Sequence, residues 1–372
     1  VGSPLRILHA VVNMNRGGAE TLIMNLYRNI DRSKVQFDFL TCKPGVFDAE
    51  IKQMGGTVHR IPYVTEAGHK GFNRALKQFF RQHPAYTIIH AHMDKMSGLV
   101  LKAAKEANVP VRIAHSHNTE SEGGLLSKTY KWYAGQYIKS HATHQYACSH
   151  AAASWLFNRK AEDVFILKNG IEPEKFRFST SLRKTLRKEL QLTEDEIVLV
   201  HIGRFAVQKN HLWLLDMIAQ LKIEIPDIVL LLVGDGPLRP QIEAKISALN
   251  LEKNVRMLGV RKDIHALLHA SDVFVFPSLH EGLPVTLVEA QGAGLPCLVS
   301  HQITTEADMK TGLVQHLPIT DPEIWVQQIL RMIANLPERR ISQRALAERG
   351  YDITSTAKTT QKNYLILGEN AL

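Results

Sequence analysis

Short apolar runs alternate with helix-patterned segments twice over along these 372 residues, and that alternation leaves few folds open. In the first half the runs are Leu5–Val12, Val35–Thr41, Val58–Ile61, Thr87–His92, Val111–His117 and Gln145–Cys148. Each is strand-length, and the segments between them carry apolar residues at helical spacing, as in Phe72–Gln82. Strands that alternate with helices predict an α/β fold with a parallel sheet covered on both faces. The pattern breaks at the turn Asn169-Gly170-Ile171-Glu172-Pro173 and the charged stretch Glu174–Glu189. A second series then begins with Ile197–Ile202, Val229–Val233, Val255–Leu258, Val273–Phe276 and Pro296–Val299. We therefore expect two domains, 1–175 and 176–350, and a helix-like tail from Tyr351 to Leu367. The length is sufficient for two separate cores.

Composition excludes several classes. No run approaches the ~18–20 apolar residues of a membrane helix, and Leu5–Val12 is too short and wrongly flanked for a secretory signal. Three scattered cysteines, Cys42, Cys148 and Cys297, form no CxxC pair. That argues against structural zinc and for a reducing, cytoplasmic setting. Charge is uneven: residues 1–180 hold 24 Lys and Arg against 14 Asp and Glu, while the remainder holds 21 against 22. A basic first half suits an anionic membrane surface or a lipid-diphosphate acceptor. The basic helical patterns at Phe72–Gln82, with Lys77 and Arg81, and at Leu125–Lys139 would present such a surface. Nucleic acid is not expected, because zinc-finger and aromatic RNA-binding signatures are missing.

Ligands of open parallel sheets bind beyond the carboxyl ends of the strands. Three such ends in the second half are rich in glycine and polar residues. The strand ending at Ile202 runs into Gly203-Arg204-Phe205-Ala206-Val207-Gln208-Lys209, whose two cations suit a diphosphate. The strand ending at Val233 runs into Gly234-Asp235-Gly236-Pro237, where glycines let the backbone approach a ligand. The strand ending at Phe276 leads through Glu281-Gly282-Leu283-Pro284 into a helix that carries Glu289. Pro284 suits a first helical turn, and the Gly282 and Leu283 amides lie where a helix terminus favours phosphate. Two acids beside an anion site make sense if they grip hydroxyls, and a nucleotide-sugar offers both groups.

The Glu281/Glu289 spacing, the Gly203-Arg204…Lys209 run and Gly234-Asp235-Gly236-Pro237 together resemble the retaining glycosyltransferases of family 4. The resemblance spans nearly the whole chain. It implies the GT-B fold, two Rossmann-like domains with parallel sheets facing across a cleft, with the C-terminal helix 351–372 returning to the first domain. It implies transfer of a hexosyl or N-acetylhexosaminyl group from a nucleoside-diphosphate sugar to a glycan hydroxyl, on a polysaccharide or a lipid-linked acceptor. UDP is the expected nucleotide, with GDP the runner-up. By the same resemblance Arg204 and Lys209 stabilise the leaving diphosphate, Glu281 contacts the transferred sugar and Glu289 holds the ribose. Gly203, Gly234, Gly236, Gly282 and Leu283 line the donor site, and Leu258–Asp263 lies beside the base.

In the first half, Gly17-Gly18-Ala19-Glu20 follows a strand and opens a helix, so the Gly17 and Gly18 amides can reach the diphosphate or sugar. The third glycine of GxGxxG is missing, which disfavours a nicotinamide enzyme. The loop resembles that of bacterial exopolysaccharide and capsule transferases of the same family. The pairs His90/His92 and His115/His117 each have the i, i+2 spacing that shares a strand face. Such pairs are metal-competent, but no third ligand stands at metal spacing and no Asp-x-Asp motif occurs, so no metal or other cofactor is expected. The resemblance assigns a donor-side histidine to His115 or His117, with His117, nearer the loop, favoured, and sets His92 toward the acceptor. Asn169-Gly170-Ile171-Glu172 resembles a linker turn of the family, with Glu172 replacing Asp. A nucleotide-sugar 2-epimerase of GT-B architecture and a non-catalytic membrane-surface protein are the competing functions.

Overall fold

The computed structural model describes residues 3–121, 123–158, 163–336, 338–339 and 343–371. The chain forms two compact units, Val1–Gly170 with Gly350–Leu372, and Ile171–Arg349.

The first unit is built on seven strands: β1 Leu5–Ala10, β2 Val35–Thr41, β3 Val58–Arg60, β4 Ile88–Ala91, β5 Val111–Ser116, β6 His144–Ala147 and β7 Phe165–Ile166. Their order is β3-β2-β1-β4-β5-β6-β7, every pair parallel. All seven residues of β2 are buried, as expected for a strand covered on both faces. β7 escapes sequence patterning because two residues cannot show a period. The helix Ile353–Glu369 completes this unit, with Ile353, Ala357 and Tyr364 inside its core beside Ile7 and Phe37. Gly368 allows the close approach: a Cβ there would lie 2.7 Å from Leu5.

The second unit holds six parallel strands: β8 Val198–Ile202, β9 Val229–Val233, β10 Val255–Gly259, β11 Val273–Phe276, β12 Cys297–Ser300 and β13 Val314–Leu317. Their order is β10-β9-β8-β11-β12-β13. The segment β13 is only half-buried and contains Gln315 and His316, so it lacks the apolar run of its neighbours. The charged stretch before β8 forms the helix Thr180–Glu189, capped by the Ser179 hydroxyl. Two of its cations turn inward: Arg183 donates to Asp272 at 2.8 Å, and Arg187, only 1% exposed, lies 3.5 Å from the same carboxylate. Asp272 also accepts from the Val198 amide at 2.8 Å, so it anchors the helix to the start of β8.

Candidate functional site

At the carboxyl ends of β8, β9 and β11 the loops are laced together by their backbones. The Phe205 amide donates to the Asp235 carbonyl at 3.0 Å, and the Leu238 amide donates back to Phe205. The Leu279 amide donates to Gln208 at 2.8 Å, while the Gln208 side chain donates to the His280 carbonyl at 2.7 Å. Asn210, left-handed at φ 58°, starts the helix His211–Glu224 and donates to the Pro277 carbonyl.

These contacts join two residues singled out by sequence. Lys209 Nζ lies 2.6 Å from Glu281 Oε1, both side chains largely buried. The ammonium also sits 4.6 Å from the centre of the Phe276 ring, a cation–π contact. Arg204 is exposed, and its side chain has no partner among the described residues. Glu289 lies in the helix Val285–Gly292, which begins after Pro284 as expected. Its carboxylate is half-buried, without a hydrogen-bond partner among the described residues. Burial pushes its pKa up to about 8, opposed by the nearby Lys175 ammonium. The protonated form that burial favours can both donate to and accept from a hydroxyl.

The glycines have a more local reason than ligand approach. Gly234 stands at φ +141°, and a Cβ on it would lie 2.1 Å from the Gly203 carbonyl oxygen. A Cβ on Gly236 would come within 2.5 Å of the Phe205 oxygen, and one on Gly203 within 2.9 Å of Lys209. The β8 and β9 loops need Gly234 and Gly236 in order to touch each other. Gly282 and the buried Leu283 lie between the two glutamates. Beyond β10, Arg261 is clamped by Asp263 at 2.6 Å and leaves Val260 exposed.

In the first unit, Gly17 is the N-cap of the helix Gly18–Asn29, and a Cβ on Gly18 would meet open space. The Glu20 carboxylate folds back on Gly17, where burial and then the Asp94 charge raise its pKa to about 7. Sequence reasoning gave neither acid a role. Glu20 stands inside the quoted Gly-Gly-Ala-Glu run, whereas Asp94 carries no local signal.

The histidine pairs do not stand alone either. Register sets His9 of β1 directly beside His90 of β4, and β5 with the residue that follows it brings His115 and His117 next to them. His9 Nδ1 is 2.9 Å from His92 Nε2, and His92 Nδ1 is 2.8 Å from His117 Nε2. Separately, Tyr364 Oη is 2.6 Å from His90 Nδ1, and His90 Nε2 is 3.0 Å from His115 Nδ1. Burial holds all five rings neutral, with His9 and His117 lowered to about 3 and the others well below the ordinary value. Two overlapping trios, His9/His90/His92 and His92/His115/His117, have ring nitrogens within 4.8 Å of one another and could hold a metal ion. The third ligand that sequence spacing lacked thus comes from a neighbouring strand.

Residues 196–335 match the family described as glycosyl transferases group 1, and residues 16–175 match glycosyltransferase family 4. EpsF of Bacillus subtilis strain 168, named as a glycosyltransferase, is 39% identical over 359 residues, 94% of each chain. A UDP-Gal:α-D-GlcNAc-diphosphoundecaprenol α-1,3-galactosyltransferase of Escherichia coli is 35% identical over 227 residues, 58% of each chain. Among solved structures, HepE of Anabaena in complex with UDP and glucose shares 20% identity with a TM-score of 0.74, covering 98% of each chain. Sucrose-phosphate synthase of Thermosynechococcus elongatus gives 0.77 at 19% identity, over 98% of this chain and 99% of that one. The architecture is that of GT-B glycosyltransferases.

Proposed function

The chain belongs to glycosyltransferase family 4, and from that membership we propose a retaining transfer of a hexosyl or N-acetylhexosaminyl group from a UDP-sugar to a hydroxyl of a polysaccharide or lipid-linked glycan. The observation that carries the proposal is the Lys209–Glu281 contact at the ends of β8 and β11, with Glu289 one helix turn and more beyond.

Lys209 and the exposed Arg204 supply positive charge to the diphosphate as it departs. The Gly282 and Leu283 amides bind the same group. Glu281, held by Lys209, accepts from hydroxyls of the transferred sugar, and Glu289 binds the ribose. Gly203, Gly234 and Gly236 wall the donor site. In the first unit, the Gly17 and Gly18 amides and His117 are the candidates for donor contacts. The incoming hydroxyl gives its proton to the leaving phosphate on the same face, so no separate protein base is required. UDP is favoured over GDP because HepE is a UDP complex and the E. coli relative uses UDP-Gal. The chain lacks an Asp-x-Asp motif, which supports metal-independent chemistry.

We place the protein at the cytoplasmic face of a membrane as a peripheral enzyme. Among the described residues, no helix is long and apolar enough to cross a bilayer. The helix Leu125–Gly135 exposes Leu125 (82%), Leu126 (88%) and Trp132 (59%), with Lys128 and Lys131 between them. Lys70, Arg74, Lys77, Arg81 and Lys102 line a groove of about 710 Å³ on the same unit. An apolar edge with cations behind it fits an anionic interface.

The test is incubation with UDP-sugars and polyprenyl-diphosphate-linked saccharides in EDTA. Stoichiometric UDP release with an α-linked product from an α-linked donor supports the proposal. A C2-epimerised sugar with no transfer product would establish the epimerase instead, and failure to bind UDP would remove the donor site.

A further inference from the structure

We infer that His9, His92 and His117 form one head-to-tail imidazole chain in which all three rings share a single tautomer, so that His9 and His92 set the form that the His117 ring takes. The argument is a proton count. Both links run from an Nδ1 to the next ring's Nε2. Three neutral rings carry three protons on six nitrogens, and the two links use two of those protons. One proton remains for the chain's ends, His9 Nε2 and His117 Nδ1, which are buried and without protein partners.

Only two arrangements satisfy both links. Either every ring carries its proton on Nδ1, and His117 offers an N–H, or every ring carries it on Nε2, and His117 offers a lone pair. A mixed arrangement faces two protons, or two lone pairs, across a 2.8–2.9 Å gap. Making both ends donors requires a fourth proton and a buried charge, which desolvation opposes. The chain therefore resists charging and communicates tautomer, whereas a lone imidazole would populate both forms freely. The neighbouring pair obeys the same logic: His90 and His115 share a tautomer, referenced to the Tyr364 hydroxyl at 2.6 Å.

The His117 end of the chain is fixed in place as well. The His117 backbone amide donates to Asp94 Oδ1 at 3.0 Å, and the His92 amide donates to the Ala10 carbonyl at 2.8 Å. Buried unsatisfied nitrogens are costly, so an unpaired ring atom at His117 calls for a ligand group. On the proposed transferase reading, that group is a hydroxyl or phosphate oxygen of the donor. An anionic phosphate oxygen, which only accepts, selects the Nδ1–H state of the whole chain.

Long-range 1H–15N correlation spectra of 15N-histidine-labelled protein read each tautomer directly and need no substrate. His9, His92 and His117 should show the same form at neutral pH. Different forms among the three in the wild type would overturn the inference. In His92→Phe, His117 should lose its fixed tautomer and populate both forms, and kcat should fall about 10- to 100-fold, the range for losing an orienting partner, with little change in donor KM. An unchanged His117 tautomer in that variant would also overturn it. Should His92→Phe not fold, His9→Gln and the wild-type pattern carry the test. Absence of transfer by the wild type would count against the transferase reading alone, because the tautomer measurement stands without it.

Discussion

The ammonium of Lys209 and the carboxylate of Glu281 meet at 2.6 Å although they lie 72 positions apart in the chain. β8 and β11 are neighbours in the sheet, so their following loops are neighbours too. The pair is more than an ion contact: it fixes the cation at a strand end and orients the acid. Lys209→Ala should lower kcat by about 10²–10³-fold, as expected for removing one stabiliser of transition-state charge. Glu281→Ala should cost turnover as well, and the double variant should cost less than the two single losses combined. Steady-state kinetics on all three proteins measure this. Near-normal turnover in Lys209→Ala would rule out its leaving-group role.

Glu289 predicts a proton linkage. Its pKa stands at about 8 because burial disfavours the charge. Two ribose hydroxyls donating to the carboxylate would favour the ionised form and lower that pKa. UDP binding should therefore release a proton, and affinity should rise as pH increases toward 8, then level off. Calorimetry at one pH in buffers of different ionisation enthalpy would show the release in the wild type. Glu289→Gln should bind less tightly and lack that component; an identical buffer dependence would exclude Glu289 as its source.

The buried Arg187–Asp272 contact is a stability element. Arg187→Ala leaves a carboxylate facing the protein interior with one cation fewer, and loss of a buried partner costs about 3–5 kcal/mol. The measured quantity is the denaturant midpoint. Arg187→Met, which keeps the packing volume, should unfold at a midpoint nearer the wild type. Equal losses would assign the effect to the polar contacts of Arg187, which also donates to Ala270 and Glu196, and none of it to packing volume.

Gly234→Ala should be poorly tolerated. Its φ of +141° is a region that side chains avoid, and the new methyl would strike the Gly203 oxygen. Separation of the β8 and β9 loops should weaken UDP binding by at least tenfold while the thermal midpoint falls. Gly124→Ala, outside the donor site and with nothing within 4 Å of the new methyl, is the control.

The exposed edge of the helix Leu125–Gly135 makes a separate prediction. The pair Leu125→Asp and Leu126→Asp should reduce sedimentation with anionic liposomes and leave UDP affinity unchanged. Charge reversal at Lys77 and Arg81 should act in the same direction and more strongly at low salt. Liposome binding that survives both sets would remove the peripheral-membrane reading.

Much of the fold was legible because parallel strands buried on both faces are written as uninterrupted apolar runs. Val229–Val233 and Val273–Phe276 stand out for that reason, while Leu5–Ala10 and Val35–Thr41 remain readable as largely apolar runs broken by Arg6, His9, Gln36 and Asp38. β13 does not, since a half-exposed strand with Gln315 and His316 has no such run. Arg183 and Arg187 look like solvated charge until Asp272, far along the chain, is seen to receive them. Strand-end position picked out Lys209 and Glu281 individually, but their pairing depends on sheet order. His9 was passed over because a single histidine in a strand has no periodic partner. Its partner is His92, brought near by the β1–β4 register.

The helix Ile353–Glu369 belongs to the unit that begins with β1, while residues 171–349 form the other unit in between. Synthesis from the N-terminus therefore delivers the first unit's opening strands long before the helix that closes its core. Until residues 353–364 leave the ribosome, the core around Ile7 and Phe37 lacks Ile353, Ala357 and Tyr364, and His90 lacks the Tyr364 hydroxyl. The inserted unit, complete at residue 349, can reach its native state first. Maturation of this protein would then run middle-first, with the nascent N-terminal sheet a client for chaperones during the wait.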